Sequence, residues 1–255
     1  MTTQFFTAPT GRRLAYRRHD VESAKFTFVW LSGFKSDMTG SKVTELEAWA
    51  KGAGQSFLAF DYSGHGESDG EFENGTISAW HQDALSIIDA QSSGPLILVG
   101  SSMGGWMALL SAMARADRMA GLVLIAPAPD FTEKLMWNGF TEDQQAELMS
   151  NGFLMRPSDY DEPYKITRAL IEDGRNWQIL DKPIKITCPV RILQGMLDAD
   201  VPWRHAERLV ETISSTDLTF TLIKDGDHRL STPANIERLK ATCADLVSFS
   251  HLPQE

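Results

Sequence analysis

Pro95-Leu96-Ile97-Leu98-Val99-Gly100-Ser101-Ser102-Met103-Gly104-Gly105-Trp106 runs from an apolar stretch, through glycines, into the helix-forming continuation Met107-Ala108-Leu109-Leu110-Ser111-Ala112-Met113-Ala114-Arg115. Ser102 therefore stands where a buried strand turns sharply into a helix. A serine on so tight a turn takes a strained backbone conformation, and the residues two before and two after it come close together. Gly100 and Gly104 remove the side chains that would collide, and the N–H of Met103 falls at a helix N-terminus, where anionic oxygen is stabilised. The spacing alone decides little, because G-x-S-x-G recurs at Gly66-Glu67-Ser68-Asp69-Gly70. There carboxylates flank the serine, and Glu71-Phe72-Glu73-Asn74-Gly75 is no helix. Ser102 reads as a nucleophile and Ser68 as part of a turn.

Around this stretch, apolar runs alternate with amphipathic ones. An opening strand-turn-strand spans Gln4-Phe5-Phe6, Thr10-Gly11 and Leu14-Ala15-Tyr16, and Phe26-Thr27-Phe28-Val29-Trp30-Leu31 follows as a strand. A helix is predicted over 41–53, a strand over 56–60, and a helix over 76–90 with Trp80, Ala84, Ile87 and Ile88 on one face. Leu122-Val123-Leu124-Ile125-Ala126-Pro127, Val190-Arg191-Ile192-Leu193-Gln194-Gly195 and Phe220-Thr221-Leu222-Ile223 read as further strands. A closing helix starts with Pro233 in its first turn. Continuous apolar strands between amphipathic helices predict an α/β fold: a mostly parallel central sheet covered by helices on both faces, with ligands bound beyond the strand carboxyl ends. The alternation lapses into short helical pieces over 130–185. This predicts a catalytic domain of residues 1–129 and 186–255 and a small helical cap inserted at 130–185.

At 255 residues, 42% hydrophobic and 23% charged, the chain is long enough to bury one large core. A formal net charge of -10 without a dense Lys/Arg run argues against nucleic acid or an anionic membrane as partner. Cys188 and Cys243 lie far apart and form no Cys/His cluster, so they read as reduced packing residues, with neither disulfide framework nor metal site predicted. No stretch reaches the roughly 20 apolar residues that span a bilayer. Arg12, Arg13, Arg17 and Arg18 precede the first acid, Asp20, but the segment reads better as strands than as a transit peptide, and a cytoplasmic protein is expected.

A serine hydroxyl is nearly inert until a base takes its proton, so Ser102 requires a histidine oriented by a carboxylate. In this type of fold the chain order is serine, acid, histidine. Among the histidines after Ser102, His251 is in the tail and His205 sits inside the predicted helix from Trp203, as a surface residue would. His228 follows the last strand in Lys224-Asp225-Gly226-Asp227-His228-Arg229 and is the expected base. The acid is expected after Gln194-Gly195, where Asp198 and Asp200 both qualify. Asp198 is nearer the strand end, whereas Asp200, before Val201-Pro202, suits a helix cap. Met103 N–H is one expected oxyanion donor, and Phe34 N–H, in Ser32-Gly33-Phe34 after the third strand, is the second.

Phe60-Asp61-Tyr62-Ser63-Gly64, Leu98-Val99-Gly100-Ser101-Ser102-Met103-Gly104-Gly105-Trp106, Gly195-Met196-Leu197-Asp198 with Val201-Pro202-Trp203, and Asp227-His228-Arg229 resemble the α/β-hydrolase-domain-containing protein 10 group. The likeness spans nearly the whole catalytic domain. It implies the alpha/beta-hydrolase fold, with Ser102, Asp198 and His228 on the group's triad positions. It also implies a serine hydrolase of esters or thioesters, acting as an acyl-protein thioesterase or acyl-glucuronide esterase. The expected substrate is a small acyl ester or thioester, or an S-acylated protein, and no cofactor is expected. A serine nucleophile argues against dehalogenase or epoxide hydrolase chemistry, which needs a carboxylate there. The alternative is a non-catalytic ligand-binding member of the same fold. In the cap, Leu135, Met136, Trp137, Phe140, Phe153, Leu154, Met155 and Trp177 either line an acyl tunnel or seat the cap. Met136, Trp137, Phe140, Phe153 and Trp177 are the candidate substrate-lining residues. Arg156, Arg168 and Arg175 are candidates to meet a substrate carboxylate, or else are solvated.

Overall fold

The structure, a computed structural model, describes residues 2–156 and 163–249. Its frame is an eight-stranded sheet whose order follows from crossovers. β1 (Gln4–Thr7) pairs antiparallel with β2 (Arg13–His19), and β2 antiparallel with β4 (Ser56–Phe60). The remaining strands are parallel: β3 (Thr27–Leu31) beside β4, then β5 (Leu96–Ser101), β6 (Met119–Ile125), β9 (Val190–Gly195) and β10 (Leu218–Ile223). Parallel strands need crossovers that put helices over the sheet. α1 (Ser41–Gly52), α2 (Ile77–Gln91), α3 (Met103–Ala114) and α6 (Trp203–Thr212) fill that role, and α7 (Pro233–Phe249), after the last strand, adds a further covering helix.

The continuous apolar character of the strands has a direct cause, since successive side chains point to opposite faces and both faces are covered. Val29, Leu31, Leu58, Leu98 and Leu124 enter the core on one face with Trp80 and Trp106. Phe28, Trp30, Phe57, Val99 and Ile125 enter the other with Leu46 and Leu246. The parallel register aligns Leu31 with Gly100, Ser101 with Ile125, Ile125 with Leu193 and Gly195 with Ile223. The segments that follow these strands therefore leave the sheet along one edge.

Between β6 and β9 lie short helical pieces, α4 (Glu142–Asn151) and α5 (Arg168–Gly174). α4 has clear stop and start signals: Thr141 and Gln144 form a reciprocal capping box, and Gly152 ends the helix in the left-handed conformation at φ 81°. A hairpin of β7 (Phe153–Arg156) and β8 (Tyr164–Thr167) is an addition to the predicted helical pieces. Its strands are four residues each, so the inward positions, Leu154 and Ile166, give too short an alternation to separate from helical spacing. Asp130, fully buried at φ +57°, accepts N–H bonds from Ile179 (2.8 Å) and Leu180 (3.0 Å), clasping the start of this segment to its end. Asp173 anchors it to α2 by accepting from Ser78 N–H (2.7 Å) and the Ser78 hydroxyl (2.6 Å).

Candidate active site

Ser102 sits at the junction of β5 and α3 with φ 55° and ψ −119°, a conformation costly for a residue with a side chain. The surrounding backbone holds it there. Its N–H donates to Ile125 O at 2.9 Å, and its carbonyl accepts from Ala128 N–H at 3.1 Å. A Cβ on Gly100 would lie 2.2 Å from Gly104 O, and one on Gly104 would lie 2.0 Å from Leu31 O. The close approach expected at both glycines is therefore present. Met103 is the first residue of α3.

The loop after β10 brings His228 to Ser102, with Nε2 3.1 Å from the hydroxyl oxygen. Nδ1 lies 2.8 Å from Asp198 Oδ2. A carboxylate only accepts, so Nδ1 carries the proton and Nε2 is left as an acceptor facing the Ser102 hydroxyl. The loops after β9 and β10 are locked together: a Cβ on Gly195 would fall 2.3 Å from Gly226 O, and Leu197 N–H donates to Gly226 O at 2.9 Å. Lys42, on α1, donates to the carbonyl of Arg229 and fastens the far side of the histidine loop. Burial lowers the Lys42 pKa to about 8 against the opposing pull of Asp227.

Asp198 has its lone pairs fully engaged. Oδ1 accepts from Val201 N–H (2.7 Å) and Asp200 N–H (3.0 Å), and Oδ2 accepts from Gln194 Nε2 as well as His228. Between the two candidate acids the geometry distinguishes clearly. Asp200 contributes its backbone to Asp198 and does not cap α6, whose N-cap is Pro202 with no side-chain cap bond, so the predicted capping role is corrected. The expected surface position of His205 is also corrected. It is buried, with Nε2 2.7 Å from Pro129 O, because the apolar face of α6 packs it against the loop leaving β6. His251 lies outside the described residues. Asp198, Asp200 and His228 also bring ligand atoms within 4.8 Å of one another, the only such group of three among the described residues. Two of its members already face each other across a hydrogen bond.

Gly33 abuts the elbow: a Cβ there would lie 3.3 Å from Ser101 O and 3.4 Å from Ser102 Cβ. Phe34 follows directly, its ring in edge contact with Phe72, Trp80, Phe131 and Tyr164. Phe34, Met136, Trp137 and Phe140 pack against one small apolar cluster of Leu148, Leu154, Ile166 and Ile171. The other two candidate lining residues lie elsewhere. Phe153 is exposed on the outer face of the hairpin under the Lys165 ammonium. Trp177 donates to the Ser78 hydroxyl at 2.7 Å and meets His81 edge-on beside a groove of about 350 Å³ between α2, α3 and the chain after α5. Arg168 and Arg175 are paired with Glu172 and Glu133, while Arg156 is exposed.

Ser68 behaves as a turn residue, its hydroxyl donating to Asp61 O (2.6 Å) and accepting from Ala15 N–H (2.8 Å). Both cysteines are free, and burial pushes the Cys188 thiol up to about 11 and the Cys243 thiol higher still, which leaves them unreactive. Three polar residues near the site escape the sequence argument: Gln194, Lys42 and His65. Only Gln194 left a signal in the sequence, as a polar residue at the end of an otherwise apolar strand. No helix among the described residues is long and apolar enough to cross a membrane.

The Alpha/beta hydrolase family profile matches residues 28–242. The bovine protein named "Palmitoyl-protein thioesterase ABHD10, mitochondrial" is 37% identical over 245 residues, 95% of this chain and 79% of the relative. Mouse alpha/beta hydrolase domain-containing protein 10 superposes with a TM-score of 0.90 at 35% identity, covering 97% of this chain and 99% of that one. A crystal structure from Agrobacterium vitis S4 gives a TM-score of 0.91 at 43% identity, with 96% and 98% covered. The expected cytoplasmic location is corrected by these relatives, since the bovine, orangutan, human, rat and mouse proteins are each named mitochondrial.

Proposed function

Since the chain belongs to the alpha/beta hydrolase family and is a hydrolase related over nearly its whole length to palmitoyl-protein thioesterases, we propose that it cleaves acyl thioesters and esters through Ser102, His228 and Asp198. The observation that carries this reading is the unbroken hydrogen-bonded line from the Ser102 hydroxyl to His228 (3.1 Å) and from His228 to Asp198 (2.8 Å).

The Ser102 oxygen attacks the acyl carbon while His228 Nε2 takes its proton. Asp198, held by its backbone donors, keeps the imidazole in the tautomer that can accept and stabilises the imidazolium that forms. The carbonyl oxygen becomes an anion, to which Met103 N–H and Phe34 N–H donate. His228 returns the proton to the departing thiol or alcohol, leaving an acyl ester on Ser102. Water, deprotonated by His228, then attacks that ester, and the acid leaves as Ser102 recovers its proton. No step needs a metal or organic cofactor.

We extend long-chain acyl thioesters to this chain as its substrate class, on a small molecule or an S-acylated protein. We treat 130–185 as a cap over the domain formed by 1–129 and 186–255, supported by the clasp at Asp130. Met136, Trp137 and Phe140, sharing an apolar cluster with Phe34, are its proposed acyl contacts. The deciding experiment is a turnover panel of purified protein on acyl thioesters, simple esters and acyl glucuronides of graded chain length, with Ser102→Ala as control. Rates that rise with chain length on thioesters and vanish in Ser102→Ala support the proposal. Wild-type rates in Ser102→Ala refute the mechanism, and equal weak rates on all substrates refute the substrate class.

A further inference from the structure

The loop that supplies Phe34 is a four-residue turn, Gly33 to Ser36, closed by Ser36 N–H donating to Gly33 O at 3.1 Å. Its third residue, Lys35, has φ +56°, and Phe34 is not among the residues with positive φ. That is the pattern of a type II turn, which favours glycine at its third position. A type I turn reverses the central peptide and puts Lys35 back at negative φ, where a residue with a side chain is comfortable. Something must therefore hold the Phe34–Lys35 peptide in the costlier orientation.

His65 is in the right place to do so. It is buried, ringed by the edges of Tyr62, Phe72 and Trp80 at centroid distances of 5.7, 5.2 and 5.2 Å. Lys35 N–H, the donor of the central peptide, points at His65 Nε2 at 3.2 Å. Because Nε2 must accept, the ring proton is on Nδ1, which donates to Ser63 O at 3.2 Å. Burial lowers the His65 pKa to about 4, so the ring is neutral and the acceptor is available at neutral pH. Reversing the peptide would turn the Phe34 carbonyl toward the Nε2 lone pair, replacing attraction by repulsion. Asp61 secures the next part of the same loop by accepting from Met38 N–H at 2.8 Å. A hydrocarbon side chain could fill the aromatic cage, but only an acceptor can select the turn.

We infer that His65 is a positioning residue for the oxyanion-binding loop: it fixes the Phe34–Lys35 peptide in the type II orientation, and with it the ψ of Phe34, the residue whose N–H is proposed to meet the developing anion. This rests on the proposed role of Phe34. His65 touches neither substrate nor nucleophile, so its loss should reduce transition-state stabilisation while leaving ground-state binding nearly intact.

The test compares His65→Phe, which fills the cage without an acceptor, with His65→Gln, whose amide oxygen reaches the Nε2 position. Both are assayed on a p-nitrophenyl acyl ester and for inhibition by a trifluoromethyl ketone, whose adduct carries the oxyanion. In His65→Phe, kcat should fall roughly 10- to 100-fold with KM within about threefold, a loss comparable to or smaller than deleting an oxyanion donor. The ketone should weaken in parallel, and His65→Gln should recover about tenfold. Adding Lys35→Gly to His65→Phe should also restore kcat, because glycine adopts positive φ without help. Equal losses in Phe and Gln, with no rescue by Lys35→Gly, would overturn the inference, as would wild-type kcat in His65→Phe. If His65→Phe does not fold, His65→Leu, which likewise lacks an acceptor, takes its place against its own Lys35→Gly double variant. Ser102→Ala separates the two levels: activity persisting there sinks the proposed function, whereas activity lost there but unaffected at His65 sinks only this inference.

Discussion

Asp198→Asn changes one atom and leaves the shape of the site nearly untouched, and the structure determines which way the new amide must face. Two backbone donors, Val201 N–H at 2.7 Å and Asp200 N–H at 3.0 Å, require an acceptor where Oδ1 now stands. The asparagine oxygen takes that place, which turns its NH₂ toward His228 Nδ1. Nδ1 must then accept, the ring proton moves to Nε2, and Nε2 can no longer take a proton from Ser102. A wrong tautomer of this kind costs about 10⁴-fold in kcat, or about 5 kcal/mol of barrier. Folding should survive with a modest loss of stability, because the backbone donors keep their partner while Gln194 Nε2 loses its acceptor at Oδ2 and retains Gly195 O and Val201 O. The assay is steady-state hydrolysis of a p-nitrophenyl ester, with thermal unfolding as the check on the fold and Asp200→Asn as the control. Asp200 hydrogen-bonds to the triad only through its backbone N–H, so its variant should stay near wild type. An Asp198→Asn enzyme retaining more than about a tenth of kcat, or a larger loss in Asp200→Asn, would refute the tautomer argument.

Gly104→Ala drives a Cβ to 2.0 Å from Leu31 O and 2.6 Å from Ser32 O, both backbone atoms; denaturant unfolding should show a loss of about 3 to 5 kcal/mol or no folded protein. Wild-type stability would contradict the packing of the elbow. Ser68→Ala removes bonds to Ala15 N–H and Asp61 O, so it should cost about 1–3 kcal/mol in the same measurement while leaving ester hydrolysis within twofold of wild type. Stability should also fall on mild acidification. Burial lowers the pKa of His65 and His81 from 6.5 to about 4, so between those values the unfolded chain binds the extra protons. Asp61 opposes this, because burial raises it from 3.8 to about 6 and the folded chain gains its proton first. At 1.36 kcal/mol per unit the histidines outweigh it, for a net loss of about 2 to 3 kcal/mol from pH 7 to pH 5 by urea unfolding. Greater stability at pH 5 would contradict the neutral buried histidines.

The fold was legible because its strongest constraint is also its plainest sequence signal. A strand buried on both faces has no polar alternation, and each such run, from Phe26 to Gly195, became a strand of the sheet within a few residues of its predicted span, as did the partly exposed edge strand that ends at Ile223. The proximity of Ser102 and His228 was legible for a related reason, since parallel strands end on one edge and chain order leaves few choices there. What sequence hid were contacts that no period encodes. The β7–β8 hairpin has strands too short to declare themselves. His205 looks like a surface residue of its helix until Pro129 O is seen beside it. His65 acts on a peptide 30 residues upstream, a contact that only the packed loops reveal.

The central claim is that Ser102, and not the serine of the second G-x-S-x-G, is the nucleophile. It is tested most directly by treating the folded protein with a fluorophosphonate and mapping the adduct by peptide mass spectrometry. A single covalent adduct on Ser102, absent in Ser102→Ala, is the expected result. An adduct on Ser68, or none on folded wild-type protein, would contradict it.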